Sequence, residues 1–98
     1  MIEVFLSKDY DKDLLKAYLR WVRKTASREL TYDTNNSEVD VCVNTSIHLS
    51  YEEAVEHSSS LSYRGDLVVF FNDRSVNECI NGEPVDVDTI YKYIEEMQ

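Results

Sequence analysis

Glycine and proline are nearly absent: two glycines, Gly65 and Gly82, and one proline, Pro84, stand in 98 residues. A glycine-rich phosphate cradle needs several glycines in one short loop, so that class of nucleotide site is excluded. Cysteine is equally scarce. Cys42 and Cys79 lie 37 positions apart, which makes neither a disulfide framework nor the paired spacing of a zinc site. No apolar run approaches the ~20 residues of a membrane-spanning helix. The segment Met1 to Leu6 has no basic stretch and no small-residue cleavage site, so no secretory signal is expected. These absences predict a soluble cytoplasmic protein with reduced thiols and no bound metal or cofactor.

What the chain does have is apolar material for a core and an uneven charge. It is 43% hydrophobic and carries seven Tyr, three Phe and one Trp, enough to fill the core of one domain over residues 1–98. The run Leu67-Val-Val-Phe-Phe71 needs burial, which argues against disorder. The net charge is −9, but the signs are segregated. Residues 8–28 hold seven bases against three acids, a balance of +4, whereas residues 29–98 hold three bases against 15 acids, a balance of −12. Such asymmetry bears on partners more than on fold.

Hydrophobic periodicity outlines the elements. Ile2 to Leu6 alternates with period two and predicts a strand. Asp9, Asp11 and Asp13 lie around a helix start, where carboxylates cap free N–H groups. A helix is expected from Asp11 to Glu29, with Leu15, Tyr18, Leu19, Val22 and Ala26 in one arc. Lys12, Lys16, Arg20, Arg23 and Lys24 fall opposite, with Leu14 and Trp21 at the borders. Thr31 to Ser37 has turn chemistry and predicts a loop. Val39 to Val43 alternates and predicts a second strand.

Ser50-Tyr-Glu-Glu53 is a capping-box pattern. It opens a weak helix over Tyr51 to Leu61, with Tyr51, Ala54, Val55 and Leu61 as its apolar set and Ser58 to Ser60 fraying its end. Leu67 to Phe71 has no alternation and predicts a central strand covered on both faces. Asn72 to Ser75 predicts a turn, and Val76 to Ile80 a returning hairpin strand stopped by Asn81-Gly82. After Pro84, Val87, Ile90, Tyr91, Ile94 and Met97 have helical spacing, with Asp86 or Asp88 as cap.

The expected class is α/β, with α+β as the alternative: a four-stranded mixed sheet with three helices in the order β-α-β-α-β-β-α. Right-handed crossovers make the first three strands parallel, and the hairpin adds an antiparallel edge. That order resembles the thioredoxin-like topology over nearly the whole chain. The redox motif is missing: the first strand is followed by Ser7-Lys-Asp-Tyr-Asp-Lys12, without cysteine, and Arg64-Gly65-Asp66 stands where the family carries a cis-proline. The resemblance implies fold alone, a degenerate thioredoxin-like domain without redox chemistry.

Several apparent motifs dissolve on inspection. Asp9-x-Asp11-x-Asp13 imitates the opening of a calcium loop, but Leu14 and Arg20 occupy the positions that need glycine and a bidentate glutamate. Arg64-Gly65-Asp66 spells an integrin-binding tripeptide yet runs straight into the apolar strand, so a turn at Gly65 is the better reading. The sequons at Asn35 and Asn44 are discounted because no export signal is seen. His48 and His57 form no close pair with either cysteine, and buried cysteine behaving as a small hydrophobe accounts for both thiols. Carboxylates are too abundant for any pair to mark catalysis. No catalytic residue is assigned, and a non-enzymatic protein is expected.

Two surfaces remain. The acidic body, through Glu52, Glu53, Glu56, Asp73, Glu78, Glu83, Asp86, Asp88, Glu95 and Glu96, can bind a basic protein partner. Clustered carboxylates can stand in for phosphates and occupy the basic groove of a nucleic-acid-binding protein, since a duplex carries roughly one charge per 1.7 Å of axis. In size, acidity and lack of catalytic motif the chain looks like the small DNA-mimic and anti-defence inhibitors encoded by phages and mobile elements, which act in the host cytoplasm. The alternative is nucleic-acid binding by the basic helix face, Lys12, Lys16, Arg20, Arg23 and Lys24, with Trp21 available to stack. Repulsion from the acidic body weighs against that reading. Membrane binding is not expected, and the chain is read as monomer or homodimer.

Overall fold

In the computed structural model, the described residues are 2–26, 29–62, 67–73, 75–78 and 84–86, together with Asp88 and Lys92. The elements are β1 (Ile2–Leu6), α1 (Lys12–Thr25), β2 (Tyr32–Thr34), β3 (Val41–His48), α2 (Tyr51–Ser62), β4 (Leu67–Phe71), β5 (Val76–Glu78) and β6 (Pro84–Val85). The strands form one mixed sheet in the order β2-β3-β1-β4-β5-β6, five strands of three or more residues and a two-residue sixth. β1 pairs in parallel with both β3 and β4, and β2 pairs in parallel with β3. The hairpin strand β5 runs antiparallel to β4, and β6 antiparallel to β5. No described helix is long and apolar enough to cross a membrane.

The sheet is covered on both faces, and period-two alternation assigns each residue to one of them. Val4 and Leu6 of β1, Val41 and Val43 of β3, and Val69 and Phe71 of β4 pack with Leu14, Ala17, Tyr18 and Val22 of α1. Phe5, Val68 and Phe70 point the other way and pack with Leu49 and Ala54, beside Val55 and Leu61 of α2. The layers are therefore helix, sheet, helix, with α1 and α2 on opposite faces. β4 is central as its unbroken apolar run requires, and Val68 to Phe71 are all buried.

The mixed α/β class and the parallel core with an antiparallel hairpin match the expectation, but the finer arrangement does not. The sheet is wider than four strands, and two helices, not three, occur among the described residues. The thioredoxin-like order fails because β2 intervenes between α1 and β3 and β6 follows β5. The segment expected to be a loop at Thr31 to Ser37 contains β2, whose three residues are all exposed. Exposed residues leave no buried alternation to read, and β2 is held by backbone pairing and side-chain clamps. Asn35, at φ 52°, donates its N–H to the Val43 carbonyl, and its side-chain oxygen accepts from the N–H groups of Thr45 and Ser46.

Helix α1 ends at Thr25, short of Glu29, with Ala26 extended as its C-cap. Its buried face is centred nearer Leu14 and Ala17 than expected, while Leu15 and Leu19 are only half-buried. β3 runs on past Val43 to His48, and Val39 lies outside it. Its pairing with β1 shifts between Val4↔Val43 and Leu6↔His48, so the extra residues of β3 bulge. The serines of α2 do not fray it. The Ser58 and Ser59 hydroxyls donate to the Val55 carbonyl at 2.6 and 3.3 Å, and the helix continues to Ser62. The expected final helix over 87–97, Cys79, Asn81-Gly82 and the Arg64-Gly65-Asp66 turn lie outside the described residues, Asp88 and Lys92 excepted. The Asp88 N–H donates to the Asp86 carboxylate at 3.1 Å.

Candidate functional site

The charged surfaces are set by the two helices. α1 begins where the Asp11 carboxylate accepts the N–H groups of Asp13 and Leu14 at 2.9 and 3.2 Å. Its apolar side chains are committed to one sheet face, which leaves Lys12, Lys16, Arg20, Arg23 and Lys24 exposed on the outside. At about 100° per residue these five bases span about 120° of helix surface, with Asp13 the one acid among them. The Arg23 guanidinium lies 5.0 Å from the centroid of the Tyr32 ring, tying the end of α1 to β2. Trp21 is half-buried, 5.9 Å from Tyr18, as a packing residue of the core.

α2 has the opposite sign. Its capping box is closed in both directions: the Glu53 N–H donates to Ser50 Oγ at 3.3 Å, and the Ser50 N–H donates to Glu53 Oε1 at 3.2 Å. Ala54 and Ser58 face inward, and Tyr51 sits edge-on to Phe70 at 5.9 Å. Glu52, Glu53 and Glu56 are exposed within about 100° of helix surface, and α2 contains no lysine or arginine. Among the described residues, none forms an ion pair with Glu52 or Glu56. Because α1 and α2 lie on opposite sheet faces, the basic and acidic helices look away from each other. The segregation of charge along the sequence thus becomes a segregation in space.

Of the remaining sequence-predicted acids, the described ones lie outside α2. Asp73 is exposed in the turn between β4 and β5, and Asp86 and Asp88 are exposed after β6. Glu78 belongs to β5, while Glu83, Glu95 and Glu96 lie outside the described residues. The structure brings together Glu52, Glu53 and Glu56 on α2, and separately the five bases of α1.

A second grouping was not visible in the sequence. Chain directions make β1, β3 and β4 end at one edge, and the connections from β1 and β3 leave that edge toward opposite faces. Such a switch point opens a crevice in many open α/β sheets. Here Ser7 Oγ donates to Asn72 Oδ1 at 3.2 Å, and the Asp11 N–H donates to the Asn72 carbonyl at 3.4 Å. Tyr10 stacks on the exposed His48 ring at 6.2 Å, and the Leu49 N–H donates to the Leu6 carbonyl. These contacts tie the strand ends and their following loops together. The only signal that could have located them is position, each residue lying at or just after the end of a strand. Among the described residues no three His, Cys, Asp or Glu side chains are placed to hold a metal ion.

Cys42 is buried and free, beside Glu3 across the β1–β3 pairing. Burial first, and the Glu3 carboxylate second, push its thiol above the ordinary value of 9.0. A raised thiol in the sheet interior is a poor nucleophile at neutral pH.

No protein-family model matches the chain, and no match is found among curated proteins or among solved structures.

Proposed function

We propose that this protein is a non-enzymatic interaction module that binds a cationic protein, of the kind that itself grips nucleic acid, through the outward face of α2. The observation that carries the reading is the partition of charge: Glu52, Glu53 and Glu56 stand exposed on a helix without a base, on the sheet face opposite the five bases of α1. A basic groove can meet α2 without meeting the like charge of α1, so the acidic face acts as a unit. Held on a packed helix, these carboxylates offer fixed negative charges of the sort a phosphate backbone presents, and inhibition by mimicry is the mode they suit. The nucleic-acid-binding alternative loses support from Trp21, whose packing against Tyr18 takes up the ring that would stack on a base.

The test is a pull-down from the native host at low and moderate salt, with and without nuclease. Wild type is compared with Glu52→Lys/Glu56→Lys and with Lys16→Glu/Arg20→Glu. Glu53 is left in place because it closes the capping box. The expected result is a nuclease-resistant protein partner lost with the α2 variant and retained with the α1 variant, its binding weakening as salt rises. The opposite ranking, or a partner removed by nuclease, overturns the reading.

A further inference from the structure

The two charged faces are complementary to each other, and the topology makes them congruent. β1, β3 and β4 are parallel, so each connecting helix must run back against the strand direction. Both helices therefore start at the same edge of the sheet and run the same way on opposite faces. A second copy displaced along the sheet normal, without rotation, brings its α1 alongside the α2 of the first, the two helices parallel. Their lengths, 14 and 12 residues, correspond to about 21 and 18 Å. Lys12 and Lys16 occupy the first two turns of α1, as Glu52 and Glu56 occupy the first two turns of α2, so facing charges come level.

We propose that the α2 face accepts a second copy of this chain, docked head to tail through the exposed bases of its α1. The inference rests on the reading of α2 as a docking surface and gives that surface an occupant other than the cationic protein proposed above, since this chain is acidic overall. The contact is heterologous: every copy in a stack still offers a free α1 at one end and a free α2 at the other, so the assembly grows open-ended. The net charge of −9 opposes approach at long range. Screening over about 10 Å at 0.1 M ionic strength weakens that repulsion between whole molecules while the facing side chains, at contact, keep their attraction. The association is accordingly weak and depends on both concentration and salt.

Sedimentation velocity on the full chain tests it. At roughly 0.1 M salt the weight-average sedimentation coefficient should rise with protein concentration, and at high salt it should stay at the monomer value. Lys16→Gln/Arg20→Gln and Glu52→Gln/Glu56→Gln should each be monomeric at every concentration. Mixed together they should form a one-to-one complex and nothing larger, because each supplies only one working face. All four positions are exposed, and circular dichroism verifies that both variants keep the wild-type fold. A wild type that stays monomeric at the lower salt overturns the proposal, as does self-association that survives either variant or a mixture that forms no complex. Monomeric wild type that still captures a nuclease-resistant protein through Glu52 and Glu56 would discard self-docking and leave the proposed function standing.

Discussion

The side-chain amide of Asn44 donates to the Glu3 carboxylate at 2.9 Å and to the Val4 carbonyl at 3.0 Å, joining the bulge of β3 to the centre of the sheet. Glu3 is only 5% exposed, so its side-chain oxygens need such donors. Asn44→Ala should cost about 1–3 kcal/mol, the penalty for a buried polar group left without its partner. In a Glu3→Gln background the same substitution should cost clearly less, because a neutral amide tolerates the loss better than a carboxylate. Urea unfolding of the four members of this cycle measures the difference. Equal costs in both backgrounds would show that the charge of the acceptor adds nothing to the bond.

Asn35 fastens the edge strand, and its two contributions can be separated. At φ 52° it occupies the left-handed region, and its side chain reaches across to Thr45 and Ser46. Asn35→Gly keeps the backbone conformation and removes the clamp; Asn35→Ala removes the clamp and adds the left-handed penalty of roughly 1–2 kcal/mol. Alanine should therefore be the more destabilising substitution in thermal melts. The reverse order would mean that the backbone at position 35 relaxes out of the left-handed region at little cost.

Where burial writes a pattern into the sequence, the fold was legible. The apolar run of β4 marked a strand covered on both faces, and the capping box marked the start of α2. β2 carries no such pattern, since Tyr32, Asp33 and Thr34 are all exposed and their order comes from β3 and Asn35. The acidic and basic segments could be counted from the chain, but their placement on opposite faces follows from the crossovers, which composition does not encode. The pairing of Ser7 with Asn72, 65 positions apart, needed the strand ends to be known.

The phase of α1 is the clearest instance, and it can be measured. The periodic arc favoured Leu15 and left Leu14 at its border, whereas Leu14 is fully buried and Leu15 half-buried. Leu14→Ala should cost about 2–5 kcal/mol, as a cavity in a packed core does. Leu15→Ala should cost less. Chemical denaturation of the two variants decides between the phases, and a larger loss at position 15 would restore the sequence-based one.

Cys42 couples the sheet interior to alkaline pH. Its thiol is raised above 9.0 in the folded chain, by burial first and by Glu3 next, whereas the unfolded chain lacks both influences. Above the unfolded value the unfolded state releases its proton while the folded state still holds one. The folded state then binds more protons, and stability falls as pH rises. Below that value the contribution is fully present. In a Cys79→Ser background, which isolates the thiol, unfolding free energy should decline from about pH 9 upward, and alkylation of Cys42 should be far slower in native than in unfolded protein. Glu3→Gln removes one cause of the shift, so native alkylation should begin at a lower pH in that variant. Alkylation as fast in the native as in the unfolded chain would place the thiol at the surface and refute the buried assignment.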